Sequence, residues 1–149
     1  MQAECNRFPA PLESVSLRPP ISYERTHVTG RTHGTSMTMI YKIVPETLWR
    51  RAEAEGVFRG APVDLADGFI HFSTADQAEE TARRHFAGQE GLLLAAFESE
   101  GLGDLRWEPS RGGALFPHLY GPLATAAARW VKPLPWDGTA HVFPEGWRA

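Results

Sequence analysis

The sequence predicts an α+β fold, a mixed and mostly antiparallel sheet with two helices packed on it, in the order β-α-β-α-β-β-β over residues 39–149. Three observations predict it. Short runs such as Ile40–Val44, Phe69–Ser73 and Leu92–Phe97 have strand composition and length. Two segments between them carry helix start and stop signals and a helical apolar period. After the second helix come several short apolar or alternating runs separated by Gly and Pro, which argues for a mixed sheet with helices packed on it.

Taken in order, Ile40–Val44 is the first strand, and Pro45 fits the first helical turn, where its missing N–H is no loss. Glu46 suits the positive helix start, Leu48, Trp49 and Ala52 form one apolar face, Glu46 and Arg50 pair at i,i+4, and Gly56 stops the helix. Val57–Ala66 reads as a loop, and Asp67-Gly68 as a turn. In the strand Phe69–Ser73, alternation sets Phe69, His71 and Ser73 on one face and Ile70 and Phe72 on the other. Thr74 and Gln77 make a capping box for a second helix running to about Phe86, with Ala78, Ala82 and Phe86 inward. Leu92–Phe97 is a central strand covered on both sides. Leu105–Glu108 is a shorter strand with Trp107 inward, Phe116–Gly121 a rigid aromatic loop, and Arg129–Val131 a strand ended by Pro133 and Pro135. His141–Phe143 is a last edge strand.

Residues 1–36 carry Pro9, Pro11, Pro19 and Pro20, no sustained apolar period, and His27 and His33 in a stretch with almost nothing to bury. Residues 1–38 are therefore expected to be a disordered or mis-called N-terminal extension, the native chain starting near Met37 or Met39, and 39–149 a single globular domain. The 149 residues suit one domain, and 42% hydrophobic residues suffice for a core. A net charge of −3 gives no global case for nucleic acid or an anionic membrane as partner. Cys5 is the single cysteine, so neither an internal disulfide nor a zinc-type Cys pair is available. No bilayer-length apolar run and no signal-peptide pattern occur. A cysteine-free core suits a reducing compartment, and the expected location is cytoplasmic.

Three segments carry candidate chemistry. In Asp67–Ser73, a histidine on a strand face beside Ser73 and a helix start is placed to meet a ligand, and the free amides of that start suit phosphate or carboxylate. A half-buried histidine bonded to backbone is the structural alternative. In Phe116–Gly121, Phe116, His118 and Tyr120 have the shape to grip a flat ring; the alternative is a hydrophobic plug. Glu108 is a candidate general base or sugar-hydroxyl acceptor, against an exposed strand carboxylate. Asp64 and Asp67 read first as turn formers. No Gly-rich phosphate loop and no serine elbow is present. No His pair at metal-ligand spacing is present either, so no metal ligand is assigned. His71 and His118 are expected to face each other across one hollow.

Tyr41-Lys42-Ile43, Trp49, Gly56, Gly60, Asp64, Asp67-Gly68-Phe69-Ile70-His71-Phe72-Ser73, Gln77, Trp107-Glu108 and Phe116-Pro117-His118-Leu119-Tyr120-Gly121 together resemble a bacterial family catalogued as domain of unknown function 952 (DUF952). The resemblance covers about Met39–Pro135 and implies no established activity. A more distant likeness points to the ADP-ribosyltransferase fold, where a Gly-Ile-Tyr-Phe strand leads into a helix starting near a serine; Gly68–Ser73 followed by Ala78 is similar. That likeness implies His71 near a nicotinamide site and Tyr41 near a ribose site, with NAD or a related nucleotide as substrate. The first-strand histidine of those enzymes is absent, and no glutamate clearly holds their catalytic place; Glu108 and His118 are the candidates. Catalytic roles thus fall on His71, His118 and Glu108, and ligand contacts on Tyr41, Phe69, Ser73, Phe116, Tyr120 and Asp67. The competing readings are a non-catalytic ligand or partner module using the same pocket and a metal-dependent hydrolase.

Overall fold

The computed structural model describes residues 37–148, which belong to one compact unit. Cys5, His27, His33 and the extension read from residues 1–36 fall outside the described residues.

Strand β1 (Met39–Pro45) leads directly into helix α1 (Glu46–Glu55). Pro45 is the residue before the helix rather than its first turn, and Gly56 ends α1 at φ 80°. Strand β5 (Leu92–Glu98) lies at the centre of a four-stranded sheet, paired antiparallel with β1 over seven residues and with β9 (Trp130–Leu134) over five. Pro133 sits within β9 rather than ending it, which the strand tolerates because it is an edge. The other edge is β4 (Ser73–Thr74), which pairs with β1 only at Ile40 and Tyr41.

Alternation along β5 splits the core in two. Leu93, Ala95 and Phe97 join Ile40, Val44 and the α1 residues Trp49 and Ala52. Leu92, Leu94 and Ala96 join Tyr41, Ile43, Leu134 and Trp147, covered by Ala78 and Ala82 of helix α3 (Ala75–His85). A strand buried on both faces has no polar face to show, which is why Leu92–Phe97 reads as an unbroken apolar run. Thr74 donates its backbone N–H to Gln77 Oε1 at 3.1 Å, the reciprocal half of the capping box at the start of α3.

Val57–Ala66 is not a plain loop. It holds strand β2 (Val57–Phe58), paired with β8 (Leu123–Ala124), and the short helix α2 (Pro62–Asp67). The Gly60 and Pro62 that read as breakers instead set up the turn and the first position of α2. Phe69–Ser73 is not one strand: β3 (Ile70–His71) belongs to a three-stranded sheet with β7 (Leu115–Leu119) and β6 (Leu105–Pro109), and after Phe72 the chain crosses to β4 in the larger sheet. Phe116–Leu119, read as a loop, is most of β7. His141–Phe143 forms no strand; His141 makes a single bridge to Trp136. The elements are thus α+β and mostly antiparallel, with more strands and helices than the seven-element order predicts.

Candidate functional site

The chemistry-bearing side chains occupy one face of the three-stranded sheet. In β3 and β7, Ile70 pairs with Leu119 and His71 with His118; in β7 and β6, His118 pairs with Arg106 and Phe116 with Glu108. Period-two alternation then puts Ile70, Leu119 and Pro117 on the face that seals the core, and His71, His118, Phe116, Arg106 and Glu108 on the other. Trp107, expected to point inward, is 40% exposed, although its register partner Pro117 is fully buried.

His71 and His118 are side by side on this face rather than on facing walls, with ring centroids 5.5 Å apart in an edge-to-face arrangement. Each has its Nδ1 against a carboxylate. His71 Nδ1 lies 2.7 Å from Asp64 Oδ1, and its Nε2 lies 3.0 Å from Asp67 Oδ2. His118 Nδ1 lies 3.1 Å from Glu108 Oε1, which also accepts the Tyr120 hydroxyl at 2.7 Å. Hydrogen bonds from Tyr120 and then His118 hold the Glu108 carboxyl below its ordinary value, and the same bond raises the Tyr120 hydroxyl. Phe69 stacks on His118 at 4.1 Å, and the Arg106 guanidinium lies 4.3 Å from the Tyr120 ring centre.

Asp64 organises the His71 half of the site. It is 2% exposed and accepts five hydrogen bonds: two from Lys42 Nζ at 2.9 and 2.8 Å, one from the Ala61 N–H at 2.7 Å, and two from the backbone and ring of His71. Burial pushes its carboxyl up, but the His71 hydrogen bond and the Lys42 charge outweigh burial and hold it down at about 2. Lys42 is 4% exposed, and its burial pushes the ammonium down against the pull of Asp64. Gly60 lets α2 approach: with φ at 130°, a Cβ there would fall 2.9 Å from Asp64 Cβ. Asp64 read as a turn former, yet Lys42, a lone charge inside an apolar strand, already signals a buried counter-charge.

A cavity of about 460 Å³ opens beside this face, where β4 has ended and β1 runs on. His71, His118 and Phe116 line it from the three-stranded sheet, Tyr41, Lys42 and Ser73 from the larger sheet, and Thr81 and His85 from α3, with Asp67 also lining it. Its size and mixed lining suit a small molecule. Ser73 Oγ donates to Thr81 Oγ1 at 3.1 Å. The Tyr41 hydroxyl donates to the Trp147 carbonyl at 2.9 Å, so it enters the site as a wall rather than as a free hydroxyl; its burial raises the phenol. Phe69, Tyr120 and Glu108 support the imidazoles from outside the cavity lining. The first turn of α3 is partly used already, since Thr74 N–H meets Gln77, whose Nε2 donates to the Leu115 carbonyl. The sequence reading passed over Lys42, Thr81 and His85 as site residues.

Among the described residues, no group of three or more His, Cys, Asp or Glu is arranged to hold a metal ion, and no helix is long and apolar enough to cross a membrane. A second hollow, of about 560 Å³, lies between α3 and the C-terminal loop. There Glu80 is paired with Arg84 and Arg83, and Asp76 and Glu79 with Arg148.

Fold and site together define an α+β protein with a carboxylate-braced histidine pair beside a small cavity. The chain belongs to the family described as "Protein of unknown function (DUF952)", whose sequence model matches residues 43–131. It is similar to protein CC0527 of Caulobacter crescentus: against the X-ray crystal structure the identity is 50% and the TM-score 0.67, over 70% of this chain and 92% of that one. Against the solution NMR structure of the same protein, the identity is 52% and the TM-score 0.64, over 70% and 91%. No curated protein matches the chain at a significant level.

Proposed function

We propose that the protein is an enzyme of ADP-ribosyltransferase-like shape that binds NAD or a related nucleotide in the cavity beside His71 and His118. One observation carries the reading: two imidazoles, each with Nδ1 against a carboxylate, line the same cavity. A carboxylate on Nδ1 fixes the ring's orientation; on His118 it leaves Nε2 for proton transfer, the arrangement acid–base catalysis requires, while His71 Nε2 faces Asp67. Two such rings 5.5 Å apart can act on one ligand. Phe116 offers an aromatic surface to a flat ring, and the Ser73–Thr81 hydroxyl pair offers hydrogen bonds to ribose.

The test is a thermal-shift and calorimetric titration with NAD, nicotinamide and ADP-ribose. The wild-type protein is expected to respond to at least one of the three, and His71→Ala to weaken that binding about tenfold or more, equal to roughly 1.4 kcal/mol. No response to any of the three removes the nucleotide reading. A second reading, a ligand-binding module without turnover, is favoured by the two carboxylates on His71, which leave that ring no bare nitrogen facing the cavity. A metabolite retained in native mass spectrometry, with no product after long incubation, would select it.

A further inference from the structure

We infer that the two imidazoles have different jobs: His118 Nε2 is the proton acceptor of the site, and His71 is a fixed cation whose Nε2–H takes an acceptor oxygen of the ligand in place of Asp67. The inference rests on the reading of the cavity as a ligand site and concerns how that site divides its labour.

The argument is one of donors and acceptors. An ionised carboxylate only accepts hydrogen bonds, so a ring nitrogen beside one must carry a proton or set lone pair against lone pair. His71 has carboxylate oxygens at 2.7 Å from Nδ1 and 3.0 Å from Nε2, an arrangement that a ring carrying a proton on each nitrogen satisfies. His118 has one carboxylate, at Nδ1, which fixes that nitrogen as the N–H. Its Nε2 has no partner among the described residues. Nor is that nitrogen sealed: the one sealed and unpartnered side-chain atom among the described residues is His141 Nδ1. The bare nitrogen therefore belongs to a ring that lines the cavity. Stacking of Phe69 on His118 at 4.1 Å and the Glu108–Tyr120 bond leave that ring little freedom to flip.

The charged and titratable neighbours support the split. Around His71 stand Lys42 from β1 and Asp64 and Asp67 from α2; Lys42 is already spent on Asp64, so two carboxylates face the ring against one cation. Around His118 stand Glu108, Arg106 and Tyr120, and Arg106 is itself paired with Asp104. His85 also lines the cavity. When a ligand hydroxyl or a water reacts, its O–H bond breaks, the electron pair stays on oxygen, and the proton passes to His118 Nε2; Glu108 then balances the imidazolium. His71 gives up no proton in this step. Asp67 is 48% exposed and can swing away, so a carbonyl, carboxylate or phosphate oxygen of the ligand replaces it at His71 Nε2.

The test is nitrogen NMR of histidine-labelled full-length protein at pH 6.5, where a free imidazole is about half charged. Signals are assigned with His71→Gln and His118→Gln. The expected result is two N–H nitrogens on His71, and on His118 one N–H, at Nδ1, and one bare nitrogen. A bare nitrogen on His71, or a proton on His118 Nε2, overturns the division. Asp67→Ala is expected to lower the two-proton fraction of His71 at least threefold, and sodium acetate, a free stand-in for the lost carboxylate, to restore it. No restoration at saturating acetate overturns the acceptor-oxygen role. None of these readouts uses a nucleotide, so a failed NAD titration and a failed division of roles are separate outcomes.

Discussion

Asp64→Ala is expected to lower the free energy of unfolding by about 3–5 kcal/mol, because it strands the Lys42 ammonium in a site that is 4% exposed. Breaking a buried pair costs more than the pair contributes, since the remaining charge keeps its desolvation penalty without its partner. The backbone N–H groups of Ala61 and His71 lose their acceptor as well. Urea unfolding measures the loss. A double substitution of Lys42→Met with Asp64→Leu is expected to recover much of it, because neither charge is then stranded. A cost below about 1 kcal/mol for Asp64→Ala would mean that the Lys42 charge finds water without Asp64.

The same carboxylate sets an acid limit. Its folded value of about 2 lies below the ordinary 3.8, so its contribution is fully present above 3.8 and is lost as the pH falls through about 2. The gap corresponds to roughly 2 kcal/mol. Asp64→Asn is expected to flatten stability against pH across that window.

Trp147→Ala is the second large effect, expected at about 3–5 kcal/mol, with a fall in Tm on the order of 10 °C. Trp147 is 6% exposed and packs edge-on against Tyr41 at 4.9 Å and against Phe143 at 4.7 Å. Because Tyr41 lines the cavity, the substitution is also expected to weaken the ligand response. A Tm within about 2 °C of wild type would show that residues near the C-terminus are not part of the core.

Much of the fold was legible because local signals and tertiary packing agree. Gly56, the Thr74–Gln77 box and the apolar run at Leu92 each have one physical use, and the structure uses them so. The run Phe69–Ser73 misled because alternation within a strand says nothing about which sheet each half joins: Phe72 donates its N–H to the Pro117 carbonyl, and the chain changes sheets there. The β2–β8 pairing and α2 were illegible because a two-residue strand and a six-residue helix carry too little pattern to register. In the site, the His71–His118 neighbourhood could be named but not its geometry. Asp64 was undervalued because its partners, Lys42 and His71, converge on it only when β1, α2 and β3 pack together.

The central claim is that His71 and His118 share one ligand cavity. Its most direct test is NMR perturbation mapping with saturating NAD on the full-length protein. The account predicts that the two imidazoles move together, with the strongest backbone shifts at Ser73, Thr81 and Phe116. Shifts centred on the hollow between α3 and the C-terminal loop, with both imidazoles unmoved, would contradict it.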